Sequence, residues 1–276
     1  GADSEWVAPE VQYVDYAAWQ RTQHTEATLD DQLAYWKNHL GEQLPRLDLP
    51  VDHPRSAVRG TQGGRVPWAL SVELSEAVTE LVHRSGTTMF MVWMAALNAL
   101  LHRYSGQDDI VVGTPIANRS RTETARMVGF FVNTLPLRTH LGGDPTFLEL
   151  LERVRATSLG AFAHQDTPFE KVVGALQPER DLSRNPLFDV LFVIDSDRTD
   201  HWALTGTSGR GVDVYNGQTK FDLTLWVRAG ASGLAGEWEY SADLFEASTV
   251  ERLDAHFRHM LAQVAQHPDR RLSELQ

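Results

Sequence analysis

The chain has no cysteine among its 276 residues, which excludes disulfide bonds, a thiol nucleophile and a thiolate zinc site. No apolar run approaches the roughly 20 residues that a membrane-spanning helix needs. The opening residues, GADSEWVAPE, carry neither the basic region nor the apolar core of a secretory signal. The net charge of −12 provides no basic face for nucleic-acid phosphates. Together these features predict a soluble, cytoplasmic protein that binds neither nucleic acid nor membrane.

The composition is otherwise that of a globular protein, with 42% hydrophobic and 22% charged residues. Residues 89–101, MFMVWMAALNALL, are apolar on all sides and predict a buried helix after a Thr87/Thr88 cap. Residues 221–227 alternate, turn and return as a hairpin, and residues 188–194 alternate as a strand. Further capping signals predict helix starts at Asp144-Pro145, at Thr167–Glu170 and at Ser248–Glu251.

The most informative stretch runs from Asp108 to Arg138. Two apolar runs, residues 110–112 and 128–137, predict buried strands on either side of a polar loop. A loop of about fifteen polar residues between strands is long enough to suggest a function, although an ordinary surface excursion has the same composition. The polar side chains of this loop are Asn118, Arg119, Arg121, Glu123 and Arg126, and such a sequence offers little to bury.

Three pairs of polar residues are candidate sites. Asn98 and His102 lie four apart on the buried helix, where they bind a ligand or form a satisfied polar pair. His164 and Asp166 fit a general base held by a carboxylate, or loop residues that satisfy backbone donors. His256 and His259 have no third ligand nearby in sequence, so we interpret them as facing solvent and predict no metal site.

Four segments resemble, in order, the core motifs of condensation domains from non-ribosomal peptide synthetases. They are YVDYAAWQ (Tyr13–Gln20), VGTPIANR with MVGFFVNTLPLR (Val112–Arg138), RVRATSLGAFAHQDTPFE (Arg153–Glu170) and RDLSRNPLFDVLF (Arg180–Phe192). The resemblance covers nearly the whole chain. It implies an α/β fold like that of chloramphenicol acetyltransferase, with a mixed sheet covered by helices that forms half of a two-lobe pseudodimer. Residues 13–265 would be the C-terminal lobe, residues 1–12 a linker, and residues 266–276 a linker toward the next synthetase domain.

In the family that the sequence resembles, an acceptor aminoacyl thioester attacks a donor acyl or peptidyl thioester and an amide forms. The implied partners are the N-terminal lobe, donor and acceptor peptidyl carrier proteins, and a neighbouring adenylation domain. No cofactor would be bound directly, because the phosphopantetheine arms belong to the carrier proteins.

The chain departs from the family pattern in one respect, since no HH pair occurs in it. The family's HHxxxDG motif belongs a few dozen residues before Tyr13. We therefore expect no catalytic residue in this chain, no activity of the chain alone, and a native polypeptide that continues upstream by about 150 residues or more. Asn118–Arg126 resembles the family's floor loop. Asp195–Gly211 falls where the family has its latch, and its polar sequence predicts a loop.

The remaining candidates are residues of the substrate tunnel. A tetrahedral oxyanion is stabilised by fixed donors, and Asn133 is the side-chain candidate for such a donor; alternatively it satisfies a strand edge. Trp226 and Tyr240 on the hairpin would line the acceptor side, or else pack in the core.

Four other functions compete with amide formation. A non-catalytic condensation-like domain that recruits partner enzymes would differ only in the HHxxxDG motif. Heterocyclization also differs at that motif. Epimerization is disfavoured by GFFVNTLPLR, and a free-standing acyltransferase would not need so close a match.

Overall fold

A computed structural model describes residues 10–23, 26–195, 201–204, 207–210, 212, 214–230 and 233–275. Its helices are α1 (Tyr13–Gln23), α2 (Glu26–Leu40), α3 (Val72–Ser85), α4 (Met89–Ser105), α5 (Phe147–Ala163), α6 (Phe169–Leu176) and α7 (Ala247–Gln266). Its strands are β1 (Gly63–Ala69), β2 (Asp109–Ile116), β3 (Asn133–His140), β4 (Val190–Asp195), β5 (His201–Leu204), β6 (Thr207–Arg210), β7 (Leu223–Gly230) and β8 (Gly233–Ser241). Short 3₁₀ turns span Thr122–Thr124 and Leu272–Glu274.

Six strands form one mixed sheet in the order β1-β8-β7-β4-β2-β3. Strand β4 runs parallel to both β2 and β7, while the β2–β3, β7–β8 and β1–β8 pairs are antiparallel. The parallel step from β2 to β4 is made through α5 and α6, as a crossover between parallel strands requires. This mixed, helix-covered sheet confirms the predicted α/β class.

The core lies between one face of the sheet and helices α4 and α7. Trp68 of β1 stacks on Trp93 of α4 at 5.2 Å, and Trp238 of β8 packs edge-on against Phe257 of α7 at 5.5 Å. Helix α4 carries eleven buried residues, which confirms the helix predicted to be buried on most sides. Each fully buried large side chain contributes roughly 1.5–3 kcal/mol, so the packing of α4 and α7 against the sheet makes a large contribution to stability.

Helices begin within two residues of all four predicted starts, but only one of the four predicted caps forms. Thr88 caps α4 by accepting from the Met91 amide. Helix α5 is capped by Thr146 in a capping box with Glu149, not by Asp144 and Pro145. Asp144 instead accepts hydrogen bonds from Ser273.

The other two predicted capping boxes do not form, because side chains from distant segments replace them. Helix α6 begins after Pro168 without a local side-chain cap. Helix α7 begins at Ala247, and Asp52 accepts there from the Glu246 amide at 2.8 Å and from the Thr249 hydroxyl at 2.9 Å.

Two segments predicted to be irregular are ordered into the fold. Within Asp195–Gly211, strands β5 and β6 pair as an antiparallel ribbon, so the interpretation as a plain loop was wrong there; residues 196–200, 205–206 and 211 lie outside the described residues. Residues 267–275, predicted as a linker, pack against the lobe, with Leu272 and Leu275 buried. Of the predicted linker 1–12, residues 1–9 also lie outside the described residues.

Candidate functional site

Two arginines of the predicted floor loop fix its position, and one of them contacts helix α1. The Arg119 guanidinium lies 4.1 Å above the Phe131 ring and donates to the carbonyls of Thr124 and Met127. The Arg121 guanidinium lies 4.0 Å above the Trp19 ring of α1. Such cation–π contacts contribute about 0.5–1 kcal/mol each at exposed sites. They anchor a loop in which, between residues 117 and 126, only Thr124 is buried, as the polar sequence predicts.

The other loop residues do not share this anchoring role. Asn118 adopts a left-handed backbone conformation with φ of 51°, which Asn tolerates better than most residues. Glu123 and Arg126 are exposed, on either side of the buried Thr124. The structure thus divides the five predicted residues into an anchored pair and three residues at the surface or at a turn.

The apolar run that follows is not a buried strand throughout, which corrects the prediction over residues 128–137. Strand β3 begins only at Asn133. Before it, Val128, Phe130 and Val132 are exposed, whereas Phe131 is buried. An apolar run in the sequence does not distinguish these two environments, so sequence reasoning missed the exposed row.

Asn133 lies where β3 meets the connection between α5 and α6. Its amide nitrogen donates to the carbonyls of Gln165 at 2.9 Å and Thr167 at 2.7 Å. Its amide oxygen accepts at 3.0 Å from the backbone amide of Phe169, the first residue of α6. Both amide protons are thus engaged, and the geometry supports the structural alternative for Asn133 over an oxyanion donor.

Trp226 and Tyr240 lie on opposite faces of the sheet. In the β7–β8 ladder Tyr240 is opposite Leu223 on the core face, while Trp226 is opposite Glu237 on the other face. Tyr240 is buried in the main core, and burial raises the pKa of its hydroxyl. For Tyr240 this position favours the alternative of core packing, and the alternation of the strands places only Trp226 outside the core.

Trp226 borders a cleft of about 410 Å³ on this second face. Its walls are Thr61, Leu191, Asn216, Gln218, Thr219, Lys220, Phe221, Thr224 and Glu239. Within the part of the chain that the structure describes, the Thr224 hydroxyl and the Trp226 indole N–H have no hydrogen-bond partner. Unpaired buried donors cost roughly 1–3 kcal/mol each, which makes this cleft the candidate binding surface of the chain.

Residues of the first two candidate pairs contact backbone carbonyls and a neighbouring ring. The Asn98 amide donates to the Met94 carbonyl at 3.0 Å, and His102 contacts the Gln107 carbonyl at 3.0 Å. His164 contacts the Gly160 carbonyl at 2.8 Å and stacks on Tyr35 at 3.9 Å. These contacts favour a structural role for both pairs over a ligand pair or a general base, and among the described residues the buried side-chain oxygen of Asn98 has no partner.

His256 of the third pair contacts the Tyr104 hydroxyl at 2.8 Å. His259, the other member, lies one helical turn further along α7 and is exposed. Among the described residues no group of three or more His, Cys, Asp or Glu side chains could hold a metal ion. None of the helices that the structure describes is long and apolar enough to span a bilayer.

A buried ion-pair cluster at the start of β4 and β7 was not predicted. Arg55 donates to both carboxylate oxygens of Asp222, and Arg184 donates to Asp189 at 2.8 Å. Burial raises the pKa of Asp222, while the hydrogen bond from Arg55 opposes that rise. The cluster joins the segment before β1 to two central strands. Arg55 and Asp222 are 167 positions apart in the chain, so no local signal identifies that pair.

Comparison with known proteins agrees with this architecture. The family model "Condensation domain" matches residues 2–276. A linear gramicidin synthase protein of Brevibacillus parabrevis is 48% identical over 269 residues, 96% of this chain and 5% of that protein. Malpinin synthetase of Mortierella alpina is 45% identical over 251 residues, 91% of this chain and 3% of that protein. The chain thus spans a small part of the curated relatives it matches.

Solved structures agree as well. A four-domain nonribosomal peptide synthetase bound to AMP and glycine superposes with a TM-score of 0.90 at 26% identity, covering 100% of this chain and 22% of that chain. The X-domain from teicoplanin biosynthesis, in complex with OxyB, superposes with a TM-score of 0.88 at 29% identity, covering 99% of this chain and 62% of that chain. This chain therefore belongs to the condensation-domain family of non-ribosomal peptide synthetases.

Proposed function

We propose that this chain is the C-terminal lobe of a domain that forms an amide bond between two carrier-bound thioesters. The acceptor amine attacks the donor thioester carbonyl, the carbon–sulfur bond breaks, and the proton lost by the amine ends on the departing thiol. The observation that carries the proposal is the family match over residues 2–276, with relatives that are peptide synthetases. The lobe's share would be a wall that binds and orients the substrates.

The cleft beside Trp226 is the part of this chain best suited to that role. It combines apolar walls from Leu191, Phe221 and Trp226 with hydrogen-bonding groups such as Thr224. Such a mixture suits an amide-containing arm like phosphopantetheine, which has apolar methylene groups between polar amides. The arms would be delivered by donor and acceptor carrier proteins, and the N-terminal lobe and an adenylation domain would be the neighbouring partners.

A histidine outside this chain would complete the site, because no HH pair occurs here. The decisive experiment compares the complete condensation domain with the 276-residue chain, each mixed with loaded donor and acceptor carrier proteins. Amide product is measured by intact mass of the acceptor carrier. The complete domain should form product and the chain alone should not. Product formed by the purified chain alone would contradict the proposal.

Two tryptophan variants in the complete domain test the role of the cleft. Trp226→Phe removes the indole N–H of a residue that lines the cleft and should raise KM for the acceptor carrier several-fold. Trp68→Phe is the matched control, since Trp68 also has an unpaired indole N–H among the described residues but lies in the core. It should lower stability and leave KM unchanged. Equal KM effects would argue against a binding role for the cleft.

A second candidate is a non-catalytic domain that recruits a partner enzyme. It is favoured by the superposition on the X-domain from teicoplanin biosynthesis, whose structure is of a complex with OxyB. The identity to that X-domain is 29%, against 48% to the linear gramicidin synthase protein. If the complete domain forms no amide but binds a partner enzyme, as the X-domain binds OxyB, this second function would replace the first.

A further inference from the structure

The second face of the sheet carries four largely buried charged side chains on three neighbouring strands. They are Arg65 of β1, Glu237 and Glu239 of β8, and Arg228 of β7. The ladder places Arg65 opposite Glu239, and Arg228 faces the same side as Trp226 because alternate residues of a strand share a face. Their side chains are between 11% and 28% exposed. These two positive and two negative charges balance, so a neutral polar ligand fits this face better than an ion, which would lack a partner.

Glu237 binds both arginines. Nη1 of Arg65 and Nη2 of Arg228 each lie 3.3 Å from the same oxygen, Oε1, of Glu237. Glu237 is buried and is not one of the walls of the cleft beside Trp226. A buried carboxylate holds its cations firmly, because releasing them would leave its charge without a partner. Glu237 therefore fixes the positions of the two guanidinium groups.

Glu239 is the carboxylate that faces the cleft, of which it forms one wall. Among the described residues its one charged contact is to Nη2 of Arg65 at 3.6 Å, which is longer than a hydrogen bond. Its side chain is only 15% exposed, and polar groups so buried normally have hydrogen-bond partners. Glu239 thus offers an acceptor that lacks a strong partner within the described part of the lobe.

Thr224 supplies a donor directly across the ladder. It is opposite Glu239 in the β7–β8 pair, is 1% exposed and lines the same cleft. Its hydroxyl has no hydrogen-bond partner among the described residues. Directly opposed residues of an antiparallel pair have Cβ atoms about 4.5–5.5 Å apart, so the donor and the acceptor lie side by side.

A donor and an acceptor side by side match a primary carboxamide better than a secondary amide. A primary carboxamide presents one N–H and its C=O in the same direction. A secondary amide in the trans form points its N–H and C=O in opposite directions, and the amides of a phosphopantetheine arm are secondary. The pair formed by Glu239 and Thr224 therefore suits the side chain of asparagine or glutamine.

We propose that this cleft selects an acceptor amino acid with a carboxamide side chain, asparagine or glutamine, and that Glu239 is the specificity-determining residue. The Glu239 carboxylate accepts a hydrogen bond from the carboxamide N–H, and the Thr224 hydroxyl donates to the carboxamide oxygen. Glu237 is a positioning residue, because by binding Arg65 and Arg228 it keeps both guanidinium groups from closing over Glu239. The inference rests on the proposed function, in which the lobe binds the substrates, and the apolar walls of the cleft remain available to the arm.

The experiment uses the complete condensation domain with one loaded donor carrier and two acceptor carriers. One acceptor carries glutamine and the other glutamate γ-methyl ester, which keeps the side-chain carbonyl oxygen but has no side-chain N–H. The wild-type domain should favour glutamine by about tenfold or more in kcat/KM, because the ester loses a hydrogen bond to a charged group. Glu239→Leu should reduce that ratio to about one. Thr224→Val should lower kcat/KM for both acceptors and keep the ratio, because both present the carbonyl oxygen.

Glu152→Leu is the control, since Glu152 is an exposed carboxylate on α5 that pairs with Arg155, and it should leave the ratio unchanged. Equal use of both acceptors by the wild-type domain would overturn the proposal, and so would a preference that survives in Glu239→Leu. A loss that Glu239→Leu imposes equally on both acceptors would also overturn it, by assigning Glu239 to the arm.

Binding measured without turnover separates this inference from the proposed function. Saturation-transfer NMR of the two aminoacyl-pantetheine thioesters with the complete domain reports the same preference for glutamine over its ester analogue. A domain that forms no amide with any acceptor refutes the proposed function, and the binding preference still decides the role of Glu239. A domain that forms amide but shows no preference refutes the specificity alone.

Glu237→Gln tests the positioning role in the complete domain, because Glu237 is not a wall of the cleft. In protein that circular dichroism shows to be folded, it should weaken the preference for glutamine several-fold, since the released Arg65 then pairs with Glu239. The double variant Glu237→Gln/Arg65→Met should restore the preference. Lower stability with an unchanged ratio, or a ratio that the double variant does not restore, would mean that Glu237 has a structural role only.

Discussion

Replacing Asn133 distinguishes its structural role from the role of oxyanion donor that the sequence suggested. Its side chain makes three hydrogen bonds, to the carbonyls of Gln165 and Thr167 and from the Phe169 amide. Each such bond contributes on the order of 1 kcal/mol net, so Asn133→Ala should lower the free energy of unfolding by about 3 kcal/mol. The α5–α6 connection would lose its tie to β3, and the first amide of α6 would lose its side-chain acceptor.

Urea unfolding of the 276-residue chain, followed by circular dichroism, measures this change. Asn185→Ala is the matched control, because the side-chain amide of Asn185 donates an exposed hydrogen bond to the Lys220 carbonyl. It should cost less than about 1 kcal/mol. In the complete domain, the structural role predicts only a modest rate loss for Asn133→Ala under conditions where the protein stays folded. Unchanged stability with a rate loss of about 100-fold would refute this reasoning and restore the oxyanion donor.

Three further perturbations test other parts of the lobe. Burial, and to a lesser extent the charge of Arg138, lowers the pKa of His39 from 6.5 to about 4. The stability that the neutral His39 allows is therefore present above pH 6.5 and is lost as the pH falls toward 4. Stability should drop by about 3 kcal/mol over that range, and His39→Gln should flatten the pH profile. Arg55→Met should lower the free energy of unfolding by about 3–5 kcal/mol, because it leaves the buried Asp222 carboxylate without its partner. The Arg55→Met/Asp222→Leu double variant should recover that stability. Urea unfolding measures the stability of each variant, including His39→Gln. Gly236→Ala should destabilise by about 1–3 kcal/mol because a Cβ there meets the backbone of β7, whereas Gly174→Ala on α6 meets nothing and should be neutral or stabilising in the same assay.

The sequence alone determined the family, the α/β class and the elements with strong periodicity. Helix α4 was predictable because an all-round apolar run has no stable alternative to burial. The β7–β8 hairpin was predictable because alternation and a glycine-rich turn are local signals. The family motifs were recognisable because they are contiguous strings, such as residues 128–138, that need no knowledge of the fold.

Only the tertiary structure decided how those elements are completed. The Phe169 amide at the start of α6 donates to the Asn133 side chain, and the Glu246 amide just before α7 donates to Asp52. Both acceptors are distant in sequence, so local capping signals predicted the wrong caps.

Alternation separates two sets of strand residues but does not say which set faces the helices. For that reason Trp226 and the core tyrosine of β8 could not be assigned to faces from sequence. Phe130 and Phe131 show the limit most clearly, because they are identical neighbours in the chain. Packing against Tyr13 and Arg119 buries one ring and leaves the other exposed.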